Sequence, residues 1–153
     1  MGDQLTEFLR KKEQAAGPPI DWQTKRESFV RSVEDLYALV KSMLRESIAS
    51  KAVTVRTFEM EVTEDYIGTY AIPGLELTIG GERVELRPKG ALVLGAAGRV
   101  DIRGGRDTVT LIQNANDERE WTIVLQRVPH LRTAPFDRES LKYALERVML
   151  PLP

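Results

Sequence analysis

The chain has 153 residues and a net charge of −1, from 22 basic and 23 acidic side chains. This length suits one domain with its own core, and the balanced charge provides no global attraction to nucleic acid or to an anionic membrane. Cysteine is absent and His130 is the single histidine, so disulfides, thiolate metal sites and multi-histidine sites are excluded.

The first predicted element is a short helix at the start of the chain. Leu5, Phe8 and Leu9 follow helical spacing, and Gly17-Pro18-Pro19 ends the pattern. We therefore divide the chain into an arm helix over residues 1–17 and a single α+β domain over residues 20–153. The narrow apolar stripe favours docking on the main body or on a partner, and a frayed helix explains the same residues.

The strongest helical pattern runs from Thr24 to about Ser50. Thr24 and Glu27 have the spacing of a capping box, in which two side chains satisfy free backbone amides at a helix start. The apolar residues form a stripe about 140° wide, which favours packing on a sheet: Phe29, Val30, Val33, Leu36, Tyr37, Val40, Met43, Leu44 and Ile48. The overhang of a helix about 39 Å long suits a homodimer contact, and a diagonal path across a wide sheet explains the length as well.

Two hairpins are predicted in the middle of the chain. The first turns at Gly80-Gly81, the spacing of a two-residue loop with positive φ, and the second turns at residues 104–107. Both have a register that puts apolar residues on one face, so a slip by one residue would mix the faces. The predicted pairs are Ile79 with Glu82, Leu77 with Val84, Leu75 with Leu86, Val100 with Leu111, and Ile102 with Val109.

Further strands are predicted on both sides of these hairpins. The segment from Ala52 to Val62 is β-branched and changes its apolar face, which a bulge near Arg56-Thr57 would explain. Pro73-Gly74 fits a type II turn. The runs Ala91 to Leu94 and Trp121 to Leu125 are apolar enough for buried strands.

The last predicted element is a helix with Asp137 as its N-cap. Phe136 and Leu141 have the spacing of a hydrophobic staple, and Pro151 ends the pattern. The predicted fold class is α+β. An antiparallel, strongly bent or barrel-like sheet of seven to eight strands packs against the long N-terminal helix and this C-terminal helix.

Four basic residues form the candidate contact for a partner or an anion: Lys89, Arg99, Arg103 and Arg106. We expect them at one end of the sheet, where basic side chains would bind carboxylate or phosphate groups. Asp101 and Asp107 lie among them, so cross-strand ion pairing is the alternative explanation. The glycines from Gly95 to Gly98 are spaced as in a phosphate loop, but a strand follows them instead of a helix, which favours tight turns.

No residue is assigned a catalytic, cofactor-binding or metal-binding role. No Asp or Glu lies in the apolar sequence context that general acid–base catalysis needs. His130 lies in a predicted loop, without a nucleophile at a defined spacing. The sequence thus predicts that the protein is not an enzyme and that it needs no cofactor.

Three segments resemble a pattern in hypothetical bacterial proteins that have no assigned activity: Gly74 to Leu77, Val84 to Gly90, and Gly95 to Asp101. The resemblance implies a bacterial source and a shared sheet. It assigns no functional residue.

The predicted function is a non-catalytic binding or assembly module that docks a protein partner in a bacterial complex. The long helix, the arm helix or the polar strand face would make the contact. The alternative is a small barrel-like carrier of a small apolar or anionic ligand, which needs an interior void on the order of several hundred Å³. No apolar run approaches the roughly 18 residues of a membrane span, and a signal-peptide pattern is not seen, so we expect a cytoplasmic protein that does not bind nucleic acid.

Overall fold

A computed structural model describes residues 3–15, 21–91, 98–114 and 117–153 of the chain, apart from the side chain of Glu118. These residues form four helices and seven strands. The helices are α1 (Gln4–Ala15), α2 (Trp22–Met43), α3 (Arg45–Ala49) and α4 (Arg138–Val148). The strands are β1 (Val53–Glu64), β2 (Gly68–Ile79), β3 (Glu82–Gly90), β4 (Gly98–Arg103), β5 (Thr108–Asn114), β6 (Asp117–Gln126) and β7 (Arg132–Pro135).

The seven strands form one antiparallel sheet in the order of the chain, from β1 to β7. This confirms the α+β class and the antiparallel sheet. The sheet is not closed, because β1 and β7 are its two outer strands. The barrel-like form of the prediction is thus corrected to an open sheet, and strong bending of the sheet stays a prediction. The predicted strand from Ala91 to Leu94 lies, after Ala91, outside the described residues, as do Gly95 to Ala97 of the glycine-rich segment.

Both predicted hairpin registers are confirmed. Every predicted pair occurs in the sheet: Ile79 with Glu82, Leu77 with Val84, Leu75 with Leu86, Val100 with Leu111, and Ile102 with Val109. Gly80 and Gly81 have positive φ, at 57° and 82°, as a two-residue hairpin loop requires.

The bulge predicted near Arg56-Thr57 is wrong. β1 pairs with β2 without a shift, from Val53 opposite Ile79 to Glu64 opposite Gly68. The change of face is nevertheless real, since Val53 and Val62 point to opposite sides of the strand and both are buried. The long β1–β2 hairpin therefore buries one side of the sheet at one end and the other side at the other end.

The turn predicted at Pro73-Gly74 is also wrong, because both residues lie inside β2. Pro73 is tolerated there because the pairing of β2 with β3 ends at Leu75 opposite Leu86. Beyond that point the two strands separate, and proline removes no ladder hydrogen bond.

The long helix starts earlier and ends earlier than predicted. The Asp21 carboxylate is the N-cap of α2 and accepts hydrogen bonds from the Thr24 amide at 3.2 Å and the Thr24 hydroxyl at 2.7 Å. The capping box of Thr24 with Glu27 is therefore wrong. Leu44 ends α2, so the segment up to Ser50 continues as the separate short helix α3.

The core lies between the sheet and the helices α2 and α4, which pack on it. α2 buries Phe29, Val33, Leu36, Tyr37 and Val40, all from the predicted stripe. On the sheet side, Leu77, Val84, Val100 and Trp121 are all buried in this core. Within the described residues, no helix combines the length and the apolar character that crossing a membrane requires.

Candidate docking groove

A concave surface lies between the C-terminal end of α2, the β2–β3 turn and α4. It is an open groove of about 1160 Å³. We call it the docking groove. Its lining residues come from four segments that are distant in sequence: Met43, Leu44, Ser47, Ile79, Gly80, Glu82, Arg106, Arg138, Glu139, Leu141, Lys142, Leu145, Glu146, Met149, Leu150, Pro151 and Leu152.

The floor of the docking groove is apolar. Met43, Leu44, Ile79, Leu145 and Met149 are each half-buried, with part of the side chain packed on the core and part left to the groove. The two methionines are unbranched and polarizable, and such side chains adapt to irregular apolar partners. A contiguous apolar floor of this kind is typical of a binding surface.

The rim of the docking groove carries charges of both signs. Three acidic residues, Glu82, Glu139 and Glu146, stand beside three basic residues, Arg106, Arg138 and Lys142. The Glu82 carboxylate accepts a hydrogen bond from the Leu150 amide at 2.8 Å, which ties the residues after α4 to the β2–β3 turn. A mixed rim around an apolar floor resembles the anatomy of a protein interface.

The helix that forms one wall, α4, is fixed at both ends. At its start, Asp137 and Ser140 form a capping box, which confirms the predicted N-cap, and the predicted staple residues Phe136 and Leu141 are both buried. At its end, the Arg106 amide donates to the Val148 carbonyl oxygen at 3.0 Å. The wall of the groove is therefore held in place without a bound partner.

An ion pair strengthens the attachment at the C-terminal end of α4. The Arg147 side chain donates to the Asp107 carboxylate at 2.8 Å, joining α4 to the β4–β5 turn. This hydrogen bond, together with a second from the Thr108 amide, holds the pKa of Asp107 below its ordinary value of 3.8. The attachment is therefore intact at neutral pH.

Comparison with protein-family models, with curated proteins and with solved structures gave no match. This result is consistent with the resemblance in the sequence, which was to proteins without an assigned activity. The bacterial source that it implied stays a prediction.

The four basic residues predicted as a contact do not gather at one place. Arg99 lies opposite Gly90 at the start of β4, near Lys89, whereas Arg103 ends β4. Four residue steps along the strand separate Arg99 from Arg103, which is about 13 Å. Arg106 lies in the following turn, where it lines the docking groove. Whether any of the four contacts a partner stays a prediction.

Arg99 is instead part of a polar cluster on the sheet. It donates to both oxygens of Asp101, at 2.9 and 3.1 Å, and the Thr110 hydroxyl donates to the same carboxylate at 3.2 Å. Arg127 donates to the Thr110 hydroxyl at 3.2 Å. Arg99 is therefore ion-paired, but with a residue of its own strand and not across strands, and Asp101 is only 5% exposed. The Asp101 carboxylate thus accepts three hydrogen bonds within the sheet, out of about four acceptor sites.

A second buried polar contact closes the end of the β1–β2 hairpin. The Tyr70 hydroxyl donates to the Glu64 carboxylate, which also accepts from the Ala91 amide at 3.0 Å. Burial, and then the contact with Glu64, raises the pKa of Tyr70, so that the hydroxyl remains a donor. This arrangement attaches the end of β1 to the end of β3 and is structural. Among the described residues, no group of three or more His, Cys, Asp or Glu side chains is placed to hold a metal ion.

The sequence contained part of the signal for the docking groove. Met43 and Leu44 belong to the predicted apolar stripe, and Leu145 is spaced to face inward on the last helix. What sequence reasoning missed is that these residues are only half-buried. The predicted continuous helix ends at Met43 and is followed by α3, whose Ser47 also lines the groove.

Proposed function

We propose that the protein is a non-catalytic docking module that holds an amphipathic helix of a protein partner in the docking groove. The observation that carries this proposal is the apolar floor of a groove of about 1160 Å³ on the surface. Partner helices that bind such grooves place anchors at i, i+3, i+4 and i+7 against apolar walls. The wider setting, a bacterial complex in the cytoplasm, stays a prediction.

The walls of the groove support this function because they are held in place before binding. α4 is capped at its start and tied to the β4–β5 turn at its end, and Leu150 is tied to Glu82. A preformed groove avoids the cost of ordering its own walls when a partner binds. The methionines supply the adaptability that one groove needs to fit a helix surface.

The experiment that tests the proposal places a photoreactive amino acid, benzoylphenylalanine, in the docking groove. Ser47 and Lys142 are suitable positions because both line the groove without being buried in the core. Irradiation in cells of the source organism is expected to give a discrete polypeptide adduct at both positions. The matched control is the same probe at Glu61, an exposed residue of β1 outside the groove lining.

A variant that blocks the groove completes this test. Ser47→Arg combined with Leu150→Glu places two charges in the groove, at positions that are half-buried and 68% exposed, so the fold is retained. The adduct at Lys142 is expected to disappear in this background. The proposal is wrong if no polypeptide, neither another protein nor a second copy of this chain, forms an adduct at either groove position.

A second candidate function is the binding of a small apolar or anionic ligand in the same groove. The groove of about 1160 Å³ is slightly larger than the range of about 300 to 1,000 Å³ that is common for ligand pockets. What favours a ligand is the rim, where Arg106, Arg138 and Lys142 suit a carboxylate head. A long-chain fatty acid is the appropriate probe. Saturable binding that Ser47→Arg/Leu150→Glu abolishes, without any polypeptide adduct, would favour the ligand over the helix.

A further inference from the structure

We propose that the docking groove receives helix α1 from a second copy of this chain, so that two copies exchange their N-terminal helices. This inference rests on the proposed function and names its partner. The two surfaces that it joins belong to one sequence, and each has exposed apolar side chains in the described structure.

The first surface is the apolar stripe of α1. No residue of α1 is buried, and Leu5, Phe8 and Leu9 are 62%, 55% and 55% exposed. These three side chains have the i, i+3, i+4 spacing with which a helix docks in a groove. An isolated helix of twelve residues is marginal in water, so α1 needs a docking surface to be stable.

The second surface is the docking groove, and its chemistry matches the stripe. Three large apolar side chains of α1 meet an apolar floor formed by residues such as Leu44, Leu145 and Met149. Lys12 lies one turn beyond Phe8 on the same side of α1. On the rim, Glu146 pairs with Lys142 at 3.5 Å and Glu82 accepts from the Leu150 amide, so the exposed Glu139 is the carboxylate that we expect to face that lysine.

The lengths of the chain segments favour a second copy over docking within one copy. The seven residue steps from Ala15 to Trp22 span at most about 25 Å, whereas the groove begins near Met43, about 32 Å along α2 from Trp22. Phe8 lies about 10 Å before Ala15 along α1. Docking within one copy would thus need the link and α1 to run almost straight along α2. A second copy removes that restriction.

Exchange of α1 between two copies also stops at the dimer. If each arm fills the groove of the other copy, a twofold axis closes the assembly and leaves neither surface exposed. The arm-to-groove contact is then made twice, so both contacts support one dimer.

The oligomeric state of the purified full-length chain tests this inference, measured by light scattering after size-exclusion chromatography. The wild type is expected to be a dimer, and Phe8→Glu/Leu9→Glu in the stripe and Ser47→Arg/Leu150→Glu in the groove are both expected to be monomers. The matched control, Arg10→Gln/Gln14→Glu, changes the net charge by the same −2 on the opposite side of α1 and should remain a dimer. All changed residues are exposed except Ser47, which is half-buried, so the variants keep their fold.

Mixing the two monomeric variants distinguishes exchange from other dimers. The stripe variant retains a groove and the groove variant retains an arm, so their 1:1 mixture is expected to recover a weaker heterodimer with one arm contact. A mixture that stays monomeric contradicts the inference.

Because the sequence has no cysteine, single cysteines give an independent readout. Leu9→Cys mixed with Ser47→Cys is expected to form a disulfide between two chains on mild oxidation, and Gln14→Cys mixed with Ser47→Cys is the control. A monomeric wild type, or a Phe8→Glu/Leu9→Glu variant that remains a dimer, overturns the inference. If the groove probes at Ser47 and Lys142 then still form an adduct with a different protein, the proposed function stands and only the second copy is excluded as its partner.

Discussion

The hydroxyl of Tyr37 donates a hydrogen bond to the carbonyl oxygen of Pro73 at 2.7 Å and lies 3.3 Å from the carbonyl oxygen of Leu86. These two oxygens belong to β2 and β3 at the point where the strands separate, because their pairing ends at Leu75 opposite Leu86. Tyr37 thus replaces a missing ladder hydrogen bond with one from α2. Burial raises the pKa of Tyr37, so the hydroxyl stays a donor at neutral pH.

We expect Tyr37→Phe to lower the free energy of unfolding by about 1 to 2 kcal/mol, because it leaves a buried carbonyl oxygen without its donor. Urea denaturation followed by circular dichroism measures this change. Tyr66→Phe is the control, since Tyr66 is 81% exposed, and should change stability by less than about 0.5 kcal/mol. Equal losses in the two variants would show that the Tyr37 hydroxyl does not bridge the strands.

Gly74 is required where the Phe58 ring crosses β2. A Cβ atom at Gly74 would lie 2.2 Å from the ring of Phe58, which reaches over the glycine until the Arg87 guanidinium is 5.4 Å from its centroid. Gly74→Ala would displace the ring, and we expect a loss of about 1 to 3 kcal/mol, as for overpacked cores. Thermal and urea unfolding measure this loss in the free energy of unfolding.

The control for that substitution is Gly105→Ala, because nothing lies within 4 Å of a Cβ at Gly105. A double-mutant cycle gives a stricter test, since in a Phe58→Ala background the Gly74→Ala change should cost much less. Additive effects in the cycle would mean that the ring and the glycine do not interact.

Substitutions at the start of α2 can distinguish the predicted capping box of Thr24 and Glu27 from the N-cap at Asp21 that the structure shows. Asp21→Ala removes the carboxylate that accepts from the Thr24 amide, and a lost cap of this kind costs about 1 kcal/mol. Glu27→Gln should have almost no effect, because the predicted capping box with Thr24 is not formed. If Glu27→Gln is instead the more damaging change in urea unfolding, the helix starts at Thr24 in solution.

The ion pair between Arg147 and Asp107 predicts a specific pH dependence. The pKa of Asp107 is lower in the folded protein than its ordinary value of 3.8. Its contribution to stability is therefore present above about pH 3.8 and is lost as the pH falls through the folded-state pKa. The stability difference between the wild type and Arg147→Gln should shrink in the same acidic range.

Titration of the carboxylates by NMR measures directly the lowered pKa of Asp107 that causes this pH dependence. In Arg147→Gln, the pKa of Asp107 should rise toward 3.8, because its main hydrogen-bond donor is gone. Asp21 provides the control in the same spectra. Its pKa is also lowered, first by the Thr24 hydroxyl, and should not move. An unchanged Asp107 pKa would mean that α4 is not tied to the β4–β5 turn by this pair.

Patterns within short segments of the sequence were sufficient to predict several elements of this fold. The two hairpin registers follow from alternation around short turns, and the N-cap at Asp137 and the buried stripe of α2 follow from spacing within one helix. In each case the residues that interact are close in sequence or repeat at a fixed period, so the chain's own chemistry specifies them.

Other features depend on segments that meet only after folding. Pro73 looks like a turn residue, but the separation of β3 and the hydroxyl of Tyr37 allow it inside a strand. Asp101 is placed by alternation on the outward side of β4, yet Arg99 and Thr110 cover it.

By itself, the sequence determined an antiparallel α+β protein with specified hairpins, because alternation, turn glycines and helix caps act over a few residues. Only the tertiary structure decided that the sheet stays open and that a groove lies between α2, the β2–β3 turn and α4. The physical reason is that an open edge and a groove are relations between distant surfaces, and a surface left uncovered by packing leaves no pattern in any one segment.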